Sequence, residues 1–189
     1  PGTAGRCNDQ GVCSLAQGQG NWNIEALGHD TFNFGDDMNH AHVQPNGAYH
    51  YHGIPELLVD FLGNNEGMTL VGWAADGFPV YARYGFSDAN DAKSETIALK
   101  PSYRLKSQPD PNRPMVLTRL SGGPGQGTTP NTPISMGAFT QDYEYVDGLG
   151  DLDQCNGRFG VTPEFPNGIY YYVVSDDFPF FTRCLKGNV

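Results

Sequence analysis

Positive charge is scarce in this sequence. Lysine and arginine together number 11, against 21 aspartates and glutamates, so the formal net charge is −10 at pH 7. A nucleic-acid backbone and an anionic lipid surface would both repel such a chain, and we expect neither as a partner. Apolar residues make up only 38%, and no apolar run approaches the roughly 20 residues of a membrane-spanning helix. The sequence therefore predicts no transmembrane segment.

Cysteine is also rare, with four residues at positions 7, 13, 155 and 184. None belongs to a close-spaced pair of the kind that binds structural zinc, and the even number favours two disulfides. Three pairings are possible, and we favour Cys7–Cys13 with Cys155–Cys184 because each then closes the shorter loop. Disulfides persist in oxidising compartments, so we expect a secreted, periplasmic or cell-surface protein whose export signal has been removed.

Two common catalytic signatures are missing. We recognise no serine triad, and Gly122-Gly123-Pro124-Gly125 lacks the lysine and the following helix of a phosphate-binding loop. The same stretch lies in a loop over residues 121–130 that is too rich in glycine and proline for a regular element. This loop is the best candidate for a mobile segment or an active-site lid.

Aromatic and turn-forming residues are abundant. The chain of 189 residues has 10 tyrosines, 11 phenylalanines, 25 glycines and 14 prolines, a composition typical of a loop-rich β protein. We predict a mainly β, single-domain antiparallel sandwich or barrel-like fold with long loops and one or two short helices. Residues 1–20 are predicted to form an irregular, disulfide-closed arm, and residues 21–189 a single β-rich domain.

The clearest helix spans residues 54–63. A proline in its first turn, a glutamate after it and a glycine at its end are typical helix boundaries. We expect its leucines and Phe61 to cover a sheet. A hairpin is predicted near the C terminus, with strands over residues 168–174 and 178–181.

Four of the five histidines lie in the fifteen residues 39–53, on either side of the turn Gln44-Pro45-Asn46-Gly47. A two-residue loop at Asn46-Gly47 would place His42 opposite Tyr51 and would separate the histidine pairs. A type I turn followed by a glycine bulge instead pairs Gln44 with Ala48. Proline favours this second register, because it has no N–H to donate at a pairing position.

The favoured register puts His42 opposite His50 and His40 opposite His52. Side chains alternate along a strand, so all four imidazoles would project from one face. Opposed Cβ atoms lie roughly 4.5–5.5 Å apart, close enough for two rings to share an ion.

A shared metal ion would keep these rings neutral, and histidine is the commonest metal ligand. We predict a site at His40, His42, His50 and His52, with His29 and Asp30 as further candidates. Imidazole ligands favour copper and then zinc over magnesium or calcium. A hydrogen-bonded histidine–carboxylate cluster without metal is the alternative. If metal binds, protons should compete with it as the pH falls through about 6.5, the reference value for histidine.

A second metal site is conceivable at Asp147, Asp151 and Asp153. Their carboxylates are hard oxygen ligands of the kind that calcium prefers. Their spacing does not match an EF-hand loop, so a solvated acidic turn is the alternative to a calcium site.

The stretch Gly47-Ala48-Tyr49-His50-Tyr51-His52-Gly53, preceded by His40-Ala41-His42, resembles the signature of the bacterial YHYH-domain proteins. Three further blocks are similar to that family: Asp76-Gly77-Phe78-Pro79-Val80-Tyr81, Leu152-Asp153-Gln154-Cys155-Asn156-Gly157-Arg158, and Phe178-Pro179-Phe180-Phe181 with Cys184 and Gly187. The resemblance runs from about Gly28 to Gly187. It implies an exported, cysteine-containing domain and no particular reaction.

Three functions remain open from the sequence. The first is an exported metal-binding protein, with copper favoured over zinc, that handles or sequesters the ion. The second is a metal-dependent oxidase or hydrolase, with Asp30, Asp36 or Asp76 as a base. The third is an extracellular structural or adhesive module that associates with itself or with an extracellular partner.

Overall fold

The computed structural model describes residues 5–16, 18, 20–44, 46–63, 66–121 and 131–189. The predicted lid lies mostly outside these residues. The elements are one α-helix, one 3-10 turn and sixteen short strands: β1 Gly5–Cys7, β2 Val12–Ser14, β3 Trp22–Ile24, β4 Ala41–Val43, β5 Tyr49–Tyr51, α1 Glu56–Leu62, β6 Thr69–Trp73, β7 Pro79–Ala82, β8 Tyr84–Phe86, β9 Thr96–Ala98, β10 Tyr103–Leu105, β11 Val116–Leu117, β12 Arg119–Ser121, β13 Thr132–Pro133, the 3-10 turn Thr140–Asp142, β14 Tyr143–Tyr145, β15 Gly157–Gly160 and β16 Ile169–Val174.

The chain forms two compact units, each built from separate stretches of sequence. The first unit has Met38–Tyr103 and Tyr145–Val189 as its main segments, and the second has Gly2–Asp37 and Arg104–Glu144. The predicted mainly β class is confirmed, with the residues distributed over several small sheets. None of these sheets closes into a barrel within the described residues. The predicted domain limits at residues 20 and 21 stay a prediction.

The central sheet of the first unit has the strand order β15-β16-β7-β6. Strand β16 pairs antiparallel with β15 and parallel with β7, so the sheet is mixed where the sequence predicted only antiparallel pairing. Tyr171 and Val173 pack into one apolar cluster, while Tyr172 and Val174 pack into another. Because successive side chains of a strand point to opposite faces, β16 supplies two cores at once.

Only the first strand of the hairpin predicted over residues 168–174 and 178–181 is present, and the prediction of the second strand is wrong. Strand β16 is present, but the chain after it turns back on itself: Ser175 N donates to Phe180 O, and Phe180 N donates to Asp177 O. Pro179 has no N–H for a ladder, and Phe180 has a left-handed φ of 59°. The antiparallel partner of β16 is β15 instead.

The predicted helix is confirmed as α1, which ends at Gly63 with a left-handed φ of 70°. Phe61 and two leucines of this helix are exposed and do not cover a sheet as expected, whereas Val59 packs with side chains of β7 and β16. Val59 is the buried residue of this helix, whereas Phe61 is 86% exposed and Leu57 is exposed as well. A helix of two turns buries only a narrow stripe, and here that stripe centres on Val59.

The second unit contains a sheet with the strand order β12-β2-β1-β3. Strands β1 and β2 lie within the arm that was predicted to be irregular. They pair antiparallel with Cys7 opposite Cys13, so the disulfide fastens the two strands of this ribbon. A buried ion pair lies elsewhere in the unit, where Arg113 Nε donates to Asp142 Oδ1 at 2.5 Å.

Both predicted disulfides are confirmed, joining Cys7 to Cys13 and Cys155 to Cys184. Two disulfides fit an oxidising compartment. Within the described residues, no helix has the length and apolar character needed to cross a membrane.

Candidate metal centre

The histidine hairpin consists of β4 and β5, and its register is the one that the turn predicts. His42 lies opposite His50, with Ala41 opposite Tyr51 and Val43 opposite Tyr49. The pairing is antiparallel and leaves His42 and His50 on the same face of the ribbon.

The turn of the hairpin explains this register. Gln44 N donates to Ala48 O at 2.8 Å, and Gly47 N donates to Gln44 O at 2.8 Å. Gly47 takes the left-handed φ of 85° that a glycine bulge requires. Asn46 adds a side-chain bond, because its Oδ1 accepts from Ala48 N at 3.0 Å. Pro45 itself lies outside the described residues.

The base of the hairpin is fixed to the first unit. Ala41 is 1% exposed and Ile54, which follows the hairpin, is 2% exposed. Asn39 Oδ1 accepts from Leu57 N at 2.8 Å, which ties the start of the hairpin to α1. The tip around Asn46 is exposed. The histidines therefore lie between an anchored base and a solvent-facing turn.

Three imidazoles meet on this hairpin. Ring centroids are 4.5 Å apart for His42 and His50, 4.8 Å for His42 and His52, and 4.7 Å for His50 and His52. Each ring offers one nitrogen, and the three nitrogens lie within 4.8 Å of one another. All three residues are half-buried. We call these three residues the histidine trio.

The trio could hold a metal ion. Metal–nitrogen bonds of about 2.0–2.1 Å hold two nitrogens of a tetrahedral ion about 3.3–3.4 Å apart. Starting within 4.8 Å of one another, the trio nitrogens would have to approach by no more than about 1.5 Å to reach this spacing. In addition, His50 Nδ1 is buried and has no hydrogen-bond partner among the described residues. A buried polar atom of this kind calls for a partner.

His40 departs from the predicted arrangement. It has a left-handed φ of 54°, so the extended strand begins only after it, at Ala41. His52 N nevertheless donates to His40 O at 2.7 Å. Its ring is held by the backbone, since Nδ1 donates to Ile54 O at 3.1 Å. The structure thus brings together three of the four predicted hairpin ligands, and a ligand role for His40 stays a prediction.

His29 and Asp30, the other predicted ligands, lie in the second unit. Both ring nitrogens of His29 contact the backbone: Nε2 donates to Glu25 O at 2.6 Å, and Nδ1 accepts from Thr31 N at 3.1 Å. Burial lowers the pKa of His29, against the opposing effect of the Glu25 carbonyl and nearby carboxylates. Asp30 is exposed. Neither residue belongs to a group of three ligands within the described part of the chain.

The predicted calcium ligands are engaged by protein donors. Asp147 and Asp151 each accept a hydrogen bond from the protein, and Asp153 accepts from Tyr170 Oη and from Lys186 Nζ, the latter at 3.0 Å. Among the described residues, the histidine trio is the one group whose ligand atoms converge. Calcium binding at the three aspartates stays a prediction.

Asp76, a predicted base, fastens the C-terminal segment. Its Oδ2 accepts from Tyr172 Oη at 2.5 Å, from Lys186 N at 3.1 Å and from Gly187 N at 3.0 Å. Burial alone would raise the pKa of Asp76, but hydrogen bonds from Tyr172 Oη and from the backbone of Gly187 and Phe78 outweigh it and lower the pKa. These hydrogen bonds give the Asp76 carboxylate a structural role.

The sequence as a whole matches one family. The sequence model of the YHYH protein family aligns with residues 1–187. The chain belongs to the YHYH family. The match includes the residues before Gly28, which the motif resemblance had not covered. Neither the curated proteins nor the solved structures contain a match to this YHYH protein.

The family motif corresponds to Tyr49-His50-Tyr51-His52. Its two histidines belong to the trio, while Tyr49 and Tyr51 lie on the other face and stack edge to face at 5.4 Å. Sequence reasoning missed one neighbour of the trio, Gln44, whose Nε2 lies 3.3 Å from His50 Nε2. The sequence could have predicted this contact. Gln44 is two residues after His42, so its side chain lies on the same face of the ribbon, diagonally across from His50.

Proposed function

We propose that this YHYH protein binds one divalent transition-metal ion through His42, His50 and His52. The observation that carries the proposal is the convergence of three imidazole nitrogens within 4.8 Å. Protonated rings at this spacing would repel one another, whereas a cation stabilises the neutral rings by accepting their lone pairs.

Copper is the favoured ion and zinc the next. Imidazole ligands suit both, and copper stands above zinc in the affinity order of divalent ions. Magnesium and calcium prefer oxygen ligands, which the trio does not provide. The two disulfides support an exported protein, and metal handling outside the cytoplasm is the role that combines these features.

A metal-dependent enzyme is the second candidate, favoured by the number of ligands. A tetrahedral ion held by three protein ligands keeps one position for water or substrate, as catalytic zinc sites do. The same position would let a handling protein pass its ion to a partner.

Titration calorimetry of chelator-treated, untagged protein tests the proposal. We expect one equivalent of copper or zinc to bind, with no binding of magnesium as the hard-cation control. The double variant His42→Ala/His52→Ala should abolish the copper and zinc signals. Absence of binding by either ion to the wild-type protein would remove both the handling and the enzyme candidates and leave the structural module.

A further inference from the structure

Gln44 is placed to orient a ring of the histidine trio. In the structure its amide nitrogen, Nε2, lies 3.3 Å from His50 Nε2. The other ring nitrogen, His50 Nδ1, is buried without a hydrogen-bond partner among the described residues. One end of this imidazole is therefore held by an amide, and the other end is left for a ligand.

The backbone fixes where the Gln44 side chain begins. The hairpin turn binds Gln44 twice, through its N–H to Ala48 O and through its carbonyl, which accepts from Gly47 N, both at 2.8 Å. Gln44 lies two residues after His42, so it continues the histidine face. A diagonal neighbour on a ribbon lies roughly 7–8 Å away, a gap that a glutamine side chain spans.

The amide has two orientations at this contact, related by a 180° rotation that exchanges its nitrogen and oxygen. If the amide nitrogen donates to His50 Nε2, the neutral ring must carry its proton on Nδ1. A buried N–H would then lack an acceptor, which is rare in proteins and costs about 1–3 kcal/mol. If the amide oxygen faces the ring, Nε2–H donates to it and Nδ1 keeps its lone pair.

We infer that the amide takes the rotated orientation, in which Gln44 Oε1 accepts a hydrogen bond from His50 Nε2–H and Nδ1 is thereby presented as the atom that binds the metal. Gln44 is a positioning residue, because it acts on the ion only through His50. Partners that hold the second nitrogen of a ligating histidine fix its tautomer and ring orientation. The inference rests on the proposed function for the identity of the ligand, but the tautomer it requires exists without metal.

Two variants and one spectroscopic measurement test the inference. Gln44→Leu keeps the approximate shape and removes the acceptor, so copper and zinc affinity should fall roughly 10–100-fold. Gln44→Glu retains an acceptor and should restore wild-type affinity or better. Nitrogen-15 NMR of the metal-free wild-type protein at neutral pH should show His50 with its proton on Nε2, and zinc should then perturb Nδ1.

The outcomes separate this inference from the proposed function. A His50 proton on Nδ1 in the metal-free protein overturns the inference whatever metals do. Equal affinities of wild type and Gln44→Leu, with the leucine variant folded by circular dichroism, overturn it as well while leaving metal binding intact. Failure of the wild type to bind copper or zinc refutes the proposed function, and the tautomer measurement still decides the orientation of His50.

Discussion

Replacing His50 with alanine should remove most of the stabilisation that a bound metal gives to this protein. His50 lies opposite His42 in the β ladder. The centroid of its ring is 4.5 Å from that of His42 and 4.7 Å from that of His52. The variant therefore leaves two nitrogens, which bind an ion much more weakly than three.

The size of the effect follows from mass action. Free metal at 100 times the dissociation constant stabilises the folded state by about 2.7 kcal/mol. For a protein of this size, 1 kcal/mol shifts the melting temperature by about 2–4 °C, so the wild type should gain about 5–11 °C. If the lost ligand weakens binding by about 100-fold, the same metal concentration yields only about 0.4 kcal/mol, or about 1–2 °C.

Differential scanning calorimetry of chelator-treated protein, with and without copper or zinc, measures this gain. Comparing each variant with and without metal cancels any intrinsic loss of stability. His29→Gln is the matched control, because this histidine lies in the second unit and both of its ring nitrogens contact the backbone. A full metal-induced shift in His50→Ala would show that the ion binds elsewhere, and the trio would lose its assignment.

Three further outcomes are expected. Repeating the wild-type experiment at pH 5 should reduce the metal-induced shift, because protons compete for the imidazole lone pairs; an undiminished shift would argue against histidine ligands. Asp76→Asn should lower the free energy of unfolding by about 1–3 kcal/mol at pH 7 in urea denaturation. Since the folded pKa of Asp76 is lowered, its contribution is fully present above the unfolded value of about 3.9 and is lost as the pH falls through the lower folded value, so variant and wild type should converge in strong acid. Burial lowers the folded pKa of His29, so as the pH falls the unfolded chain takes up a proton before the folded chain does. The metal-free wild type should therefore lose stability as the pH falls below about 6.5. His29→Gln should lose less, and equal slopes of unfolding free energy against pH in the two proteins would contradict this account.

Local signals in the sequence predicted the register of the histidine hairpin. The residues of the turn determined the register, because a proline without an N–H and a glycine in a left-handed conformation leave few ways to close the ribbon. His42 therefore lies opposite His50 as predicted. The left-handed φ of His40 was not predicted, since nothing in its neighbourhood signals such a conformation in a histidine. Such conformations are uncommon outside glycine and are set by the surrounding fold.

Long-range pairings could not be predicted in the same way. The apolar run of β16 indicated a buried strand, but not whether its neighbour was the next segment or a distant one. The aromatic residues of the segment after it indicate a strand, but Pro179 has no N–H to donate and Phe180 has a left-handed φ. The parallel pairing of β16 with β7 has no signature in either segment alone.

The parallel pairings also determine when during synthesis each part of this chain can fold. Val80 pairs with Tyr172 in the first unit, and Val12 pairs with Arg119 in the second. Neither sheet can be completed until the ribosome has made a strand that lies far along the chain from its partner. Pairing of strands that are so distant in sequence is slow. The hairpin of the trio needs only the residues between Ala41 and Tyr51. A chain truncated before Gly157 would keep every histidine of this protein and lack β15 and β16, two of the four strands of the first unit's central sheet.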